Sequence, residues 1–253
     1  MGANLLPSQF LIEHHSGYRL GREELLIREV ARANQRTVSM ASLSQVQRGR
    51  VPITSDIAVV GGVLFVKAAL TTLGRELPYP NPYPEVLRPF LHREVETMSF
   101  KVAMDRLERT GLSVFIKPAD RWKSFTGCVP IDQRDFRLRG ASRSERVWTS
   151  SVVRFLSEWR VYVLNGEIQH LAWYDGDRAV SPDVSVVRDA ISKYVVTGAP
   201  GGFAIDFGVL STGETALVEV NEGFAIGAYE AVPPLAYALL ISTRWRELAE
   251  PRK

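Results

Sequence analysis

Residues 203–221 read FAIDFGVLSTGETALVEVN, and their alternation decides how the rest of the chain is organised. Phe203, Ile205, Phe207 and Val209 fall on one face of a strand, and Ala204, Asp206 and Gly208 on the other. The first set belongs against a core. The second holds one carboxylate between small residues, which leaves room for a ligand. A tight Ser211-Thr212-Gly213 turn follows, and in the next strand Leu217, Glu219 and Asn221 share a face. The resulting hairpin brings Asp206 beside Glu219 and Asn221. Three oxygen donors, two of them charged and without a neighbouring base in sequence, suit Mg²⁺, above all Mg²⁺ bridging phosphates. The competing reading is a solvated edge face with ordinary acids.

The segment before this hairpin carries cations. Residues 158–164 (EWRVYVL) place Glu158, Arg160 and Tyr162 on one face and Trp159, Val161 and Val163 on the other. Asn165–Gly166 then supplies the two positive-φ positions of a tight turn into 167–174 (EIQHLAWY). Arg160 can hold an anion bidentately, or it can pair with Glu158. The stretch 151–156 (SVVRFL) is apolar enough to flank a flat aromatic ring. Further upstream, 114–127 (VFIKPADRWKSFTG) sets Lys117 inside an apolar strand, where an unpaired ammonium is costly. Arg121, Lys123, Ser124, Thr126 and Gly127 follow in a loop suited to phosphate oxygens. The plainer alternative is an edge lysine reaching water beside a basic surface loop.

Around these motifs, residues 20–33 have the stripe of a helix (Leu20, Leu25, Ile27, Val30, Ala31), and 56–66 read as a buried strand running into a turn or helix. Five prolines in 78–89 exclude helix and central strand, so this stretch is a connector, with a boundary near residue 95. Residues 99–109 form a helix ending at Gly111; strands follow at 112–118 and 144–156, helices at 183–197 and 232–249. The order of elements is α/β for 1–95 and α+β for 96–253. Hydrophobic residues at 45% and charged residues at 23% exclude a disordered or fibrous chain. No apolar run approaches the roughly 18 residues of a membrane span, and the N-terminus has no secretory pattern. Cys128 is the only cysteine, which excludes an internal disulfide and a cysteine zinc site and fits a cytoplasmic chain. It reads as a packing residue. His14 and His15 are adjacent and point apart, as surface residues do. The net charge of +3 is too small to imply nucleic acid but suits an anionic ligand.

Taken in order, FIKP with its SFTG loop, SEWRVYVLNGEI, AIDFGV and LVEVNEGFAIGAY resemble the ATP-grasp superfamily of ATP-dependent ligases over about residues 99–231. Within it the chain is most similar to a compact bacterial and phage branch, and VGGVLFVKAAL extends the match to about residue 57. The resemblance implies an α+β fold in which two subdomains grip ATP, with a short N-terminal α/β lobe. By position it implies that Lys117 contacts the α- and β-phosphates and that Lys101 is a second phosphate or nucleotide contact. Residues Lys123, Ser124, Thr126 and Gly127 would close over the phosphates, and Val152, Val153 and Phe155 would form the hinge against adenine. Glu158 would contact the ribose, and Arg160 would steady the transferred phosphoryl or acyl-phosphate group. Asp206, Glu219 and Asn221 would hold two Mg²⁺ ions. Tyr229 and the Gly223–Gly227 turn would border the acceptor.

The implied activity is an ADP-forming carboxylate–amine ligase acting on a small-molecule, peptide or protein acceptor through an acyl phosphate. An alternative keeps the ATP site but uses another acceptor: a phosphotransferase or nucleic-acid-end ligase whose Arg134, Arg137, Arg139, Arg143 and Arg146 grip phosphates. That run reads first as a solvated loop, so nucleic acid is not the favoured partner. A third reading, a nucleotide sensor without turnover, sits poorly with an intact acidic triad. Neither the acceptor nor the oligomeric state is fixed by the sequence.

Overall fold

The computed structural model describes residues 5–250 apart from Arg121 and Lys123. Three sheets succeed one another along the chain. The first is parallel, in the order β2-β1-β3, from β1 (Gln9–Glu13), β2 (Thr37–Ala41) and β3 (Ile57–Val60). Its central strand β1 lies in a stretch where the sequence shows no period. Phe10, Leu11 and Ile12 are all buried, and a strand covered on both faces has no alternation to read. Helices α1 (Arg22–Ala33), α2 (Leu43–Gln47) and α3 (Val63–Thr72) complete this lobe. Ile27, Val30 and Ala31 of the expected α1 stripe are buried, whereas Leu25 is exposed.

The proline-dense connector packs into the body of the protein. A 3₁₀ turn occupies Glu85–Phe90, and Tyr83, Leu87 and Phe90 are buried in one cluster with the apolar face of the large sheet described below. The second sheet is antiparallel, in the order β4-β6-β5, from β4 (Val95–Ser99), β5 (Val114–Pro118) and β6 (Arg146–Ser151). Helix α4 (Phe100–Thr110) lies against it, capped by Ser99 and terminated at Gly111, whose φ of 67° is the left-handed value that glycine tolerates. Cys128 is buried in that small core beside Phe100 and Ile116.

The third sheet runs β10-β9-β7-β8, all antiparallel, from β7 (Phe155–Leu164), β8 (Glu167–Gly176), β9 (Gly202–Leu210) and β10 (Thr215–Glu222). Asn165 and Gly166 have the positive φ expected of the β7–β8 turn. Where the sequence suggests one strand over 144–156, the chain leaves the second sheet after Ser151 and enters the third at Phe155. Helices α5 (Val184–Val196) and α6 (Pro234–Ala249) cover opposite faces. Val161, Ile205, Phe207 and Leu217 pack with α5 and the connector, while Tyr162 and Ala204 join α6 and the N-terminal lobe.

Two details of the β9–β10 hairpin depart from simple alternation. Leu217 pairs with Phe207, but Glu219 pairs with Asp206, so Val218 is a bulge. Leu217 therefore faces the apolar core, and only Glu219 and Asn221 share the face of Asp206. The small neighbours of Asp206 also leave no room for a ligand. A Cβ on Gly208 would lie 2.3 Å from the Phe155 ring, and Ala204 is wholly buried. Access to the acids comes instead from the side of Glu219 and Asn221.

Candidate active site

A cleft of about 970 Å³ lies between the second and third sheets. Phe115 and Lys117 of β5, with Thr126 and Gly127 of the loop behind it, form one wall. Val152, Val153 and Phe155 line the crossover between the sheets; Glu158, Glu219 and Asn221 line the opposite wall. The connector contributes a further side through Pro80, Asn81, Pro82 and Tyr83. Apolar walls at the crossover and a charged end suit a ligand that is flat at one end and anionic at the other.

The charged end is a closed set of pairs. Arg160 Nε donates to Asp206 Oδ1 at 2.8 Å and Nη2 to Oδ2 at 2.7 Å, a bidentate pair with side chains only 8% and 2% exposed. Asn221 Nδ2 donates to Asp206 Oδ2 at 3.0 Å. The Lys117 ammonium is ion-paired with Glu219 and lies 5.4 Å from the centre of the Tyr83 ring. Arg160 thus pairs with Asp206 from the neighbouring strand, not with Glu158. Burial pushes the Asp206 carboxyl up, and the guanidinium opposes it. Burial acts the same way on Glu219, but Lys117 outweighs it and holds that carboxyl below its usual range. Two carboxylates brought together here require two positive charges close by, and Lys117 and Arg160 provide them.

Aromatic side chains continue the site away from the acids. The Arg160 guanidinium lies 4.8 Å from the centre of the Tyr229 ring, which stacks on Tyr174 at 4.8 Å and 17°. Tyr174 is the bulged residue of β8, and its hydroxyl donates to Glu158 Oε2 at 2.7 Å. Tyr229 belongs to a loop fixed from several directions. The Tyr162 hydroxyl donates to the Gly227 carbonyl and accepts from the Tyr229 amide, each at 2.8 Å. Tyr237 donates to the Ile226 carbonyl at 2.6 Å, and the Ala228 amide donates to Glu23 Oε1 at 3.0 Å. Tyr162→Phe removes a donor and an acceptor at once from a fully buried ring. It should cost about 1–3 kcal/mol, read as a lower urea midpoint.

Burial raises the Glu158 carboxyl above its ordinary value, and the Tyr174 hydroxyl bond works against this. A carboxyl whose folded value is raised binds its proton longer in the folded state than in the unfolded one. Stability from this group is therefore lost as pH rises from the ordinary glutamate value through the raised one. Glu158→Gln should melt progressively higher than the parent across that interval, as checked by melting curves between pH 4 and pH 7, roughly the span over which buried glutamates titrate.

Other expected contacts lie elsewhere. Lys101 sits at the exposed start of α4, paired with Asp105, and does not line the cleft. Ser124 donates its hydroxyl to Glu145. Lys123 and Arg121 lie outside the described residues. His14 stacks on Tyr18 at 4.6 Å, with its Nδ1 3.1 Å from the His15 carbonyl oxygen. In the arginine-rich loop, Arg137 is engaged with Asp135 and the Val129 carbonyl, and Arg146 pairs with Asp120 at 3.3 Å. Four cleft residues escape a reading of the sequence: Tyr83, Arg93, Trp122 and Tyr174. Tyr174 ends the EIQHLAWY strand and carries a weak signal there; Tyr83 and Arg93 sit in a segment that reads only as a connector.

Asp206, Glu219 and Asn221 offer hard oxygen donors within contact of one another, the chemistry Mg²⁺ prefers. They form a set of two carboxylates and one amide. Among the described residues there is no group of three His, Cys, Asp or Glu side chains suited to a metal, and no helix long and apolar enough to cross a membrane.

Two antiparallel sheets with a nucleotide-sized cleft, a lysine on one wall and an acidic strand pair on the other define an ATP-grasp domain. The chain belongs to an ATP-grasp domain family, the second family of its clade, whose model matches residues 90–239. Among solved structures, it is similar to the D-alanine–D-alanine ligase from Bacillus anthracis complexed with ATP (TM-score 0.56, 12% identity, covering 95% of this chain and 98% of the other). The macrocyclase MdnC from Microcystis aeruginosa, bound with the precursor peptide MdnA, gives a TM-score of 0.54 at 12% identity, covering 92% and 97%. The D-alanine–D-alanine ligase from Coxiella burnetii gives 0.53 at 15% identity, covering 95% of each chain. At these identities the likeness is one of fold. Comparison with curated proteins gave no match.

Proposed function

We propose that the protein is an ADP-forming, Mg²⁺-dependent ligase that activates a carboxylate with ATP and joins it to an amine. The observation that carries this is the paired set Lys117–Glu219 and Arg160–Asp206–Asn221 at the charged end of the cleft. A substrate carboxylate oxygen attacks the γ-phosphorus of ATP, the bond from that phosphorus to the β,γ-bridging oxygen breaks, and ADP leaves. The amine nitrogen then attacks the acyl carbon, the bond to phosphate breaks, and the nitrogen releases its proton to phosphate or water. Lys117 and Arg160 exchange their carboxylate partners for phosphate oxygens, and Asp206, Glu219 and Asn221 would hold Mg²⁺. Bound Mg²⁺ supplies further neutralisation of phosphoryl charge. The chain's own contribution is positioning and electrostatics, because no general base stands beside the cations.

Tyr229 and Tyr174, next to Arg160, border the acceptor. A peptide-type acceptor is supported by similar folds solved with precursor peptides, the macrocyclase MdnC with MdnA and the ligase PsnB with a minimal precursor. The test is to incubate the protein with Mg-ATP and pooled amino acids and peptides and to follow the products. ADP with equimolar phosphate is expected. ADP without phosphate would indicate a phosphotransferase, and AMP would contradict the mechanism.

A further inference from the structure

We infer that Arg93 is a positioning residue for Glu219: it holds open the Val218 bulge that turns this carboxylate towards Asp206. The inference rests on the reading of Asp206, Glu219 and Asn221 as metal ligands. Without the extra residue, Val218 would stand opposite Asp206. Glu219 would then stand opposite Ile205, which is fully buried in the apolar layer. A one-residue slip exchanges the two faces of a strand, so the bulge alone decides whether Glu219 meets Asp206 or the core.

The bulge lies on an edge strand, whose outward carbonyls and amides have no strand partner. Arg93 takes that place. Its Nη1 donates to the Leu217 carbonyl at 2.6 Å and its Nη2 to the Val218 carbonyl at 2.8 Å, the two residues at the bulge. Nη1 also reaches the Leu91 carbonyl at 3.1 Å, which ties the side chain to the connector. The guanidinium is flanked by Tyr83 at 5.7 Å and Phe155 at 5.8 Å. On the far side of Glu219, the Val220 amide donates to the Pro82 carbonyl at 2.9 Å. The connector therefore clamps β10 before and after Glu219. The planar fork is what two consecutive carbonyls require; a lysine could serve one.

Arg93→Met, Arg93→Lys and Glu219→Gln, alone and with Arg93→Met added to Glu219→Gln, separate this role from a general loss of stability. The probes are Mn²⁺ with the non-hydrolysable analogue AMPPNP, followed by electron paramagnetic resonance, and amide hydrogen exchange at residues 217–220. Arg93→Met should weaken Mn²⁺ binding by about 10–100-fold, leave affinity for metal-free AMPPNP unchanged and speed exchange at 217–220 above the rest of the sheet. Arg93→Lys should fall between, which keeps the test open where Arg93→Met does not fold. In the Glu219→Gln background the Arg93→Met effect on Mn²⁺ should disappear. Unchanged exchange and Mn²⁺ affinity in Arg93→Met, or an effect that persists in full without the Glu219 carboxylate, would overturn the inference. If the parent protein binds no Mn²⁺ that depends on Asp206 and Glu219, the metal reading itself fails, and the exchange at 217–220 alone then decides whether Arg93 holds the bulge.

Discussion

Asp206→Asn is expected to lower ATP turnover by at least about 10²–10³-fold in a protein that still folds. Asparagine keeps the shape of the side chain and leaves an oxygen for the Arg160 guanidinium. It removes the negative charge on which Arg160 and Asn221 converge. With that charge gone, the cation that should move to phosphate has no fixed starting position, and one hard donor for Mg²⁺ is lost. The measurement is steady-state ADP release with a circular dichroism melt on the same samples. Full activity in Asp206→Asn would remove the metal assignment.

The second large effect is on stability. Arg160 and Asp206 are both nearly excluded from water, so removing one partner strands the other. Arg160→Met should cost about 3–5 kcal/mol, because the Asp206 carboxylate is left buried with only the Asn221 amide for company. Replacing both, as Arg160→Met with Asp206→Leu, should recover most of that loss while the protein stays inactive, because a buried ion pair contributes little beyond what well-packed apolar groups would. Urea titration of the two singles and the double gives the coupling directly. Additive losses would mean that the pair does not interact as its geometry indicates.

Much of this site is legible in the sequence because strand alternation is a strict period. Phe203, Ile205 and Phe207 against Ala204, Asp206 and Gly208 separate as expected, and Asp206 does meet Glu219 and Asn221. The reason for that meeting is not legible. Alternation alone puts Leu217 beside Glu219, and only a bulge sends them to opposite faces. Arg93 secures the bulge through backbone carbonyls, which leave no mark on residue type. The proline-dense segment reads as a connector, yet it forms a wall of the cleft and caps an edge strand, because extended backbone without its own hydrogen bonds is free to pair with a neighbour. In the N-terminal lobe, β2 alternates weakly and α2 has five residues, too few for a period to show. The pairing of Arg160 with Asp206 instead of Glu158 depends on which strand lies next to β7, and sequence order does not give that.

The central claim is that a carboxylate oxygen attacks the γ-phosphorus of ATP in this cleft. The direct measurement supplies pooled acceptors and ¹⁸O-labelled carboxylate substrates and follows the released phosphate by mass spectrometry. An acyl-phosphate route transfers one labelled oxygen to phosphate in each turnover. Phosphate free of label, or label recovered in AMP, would contradict the account.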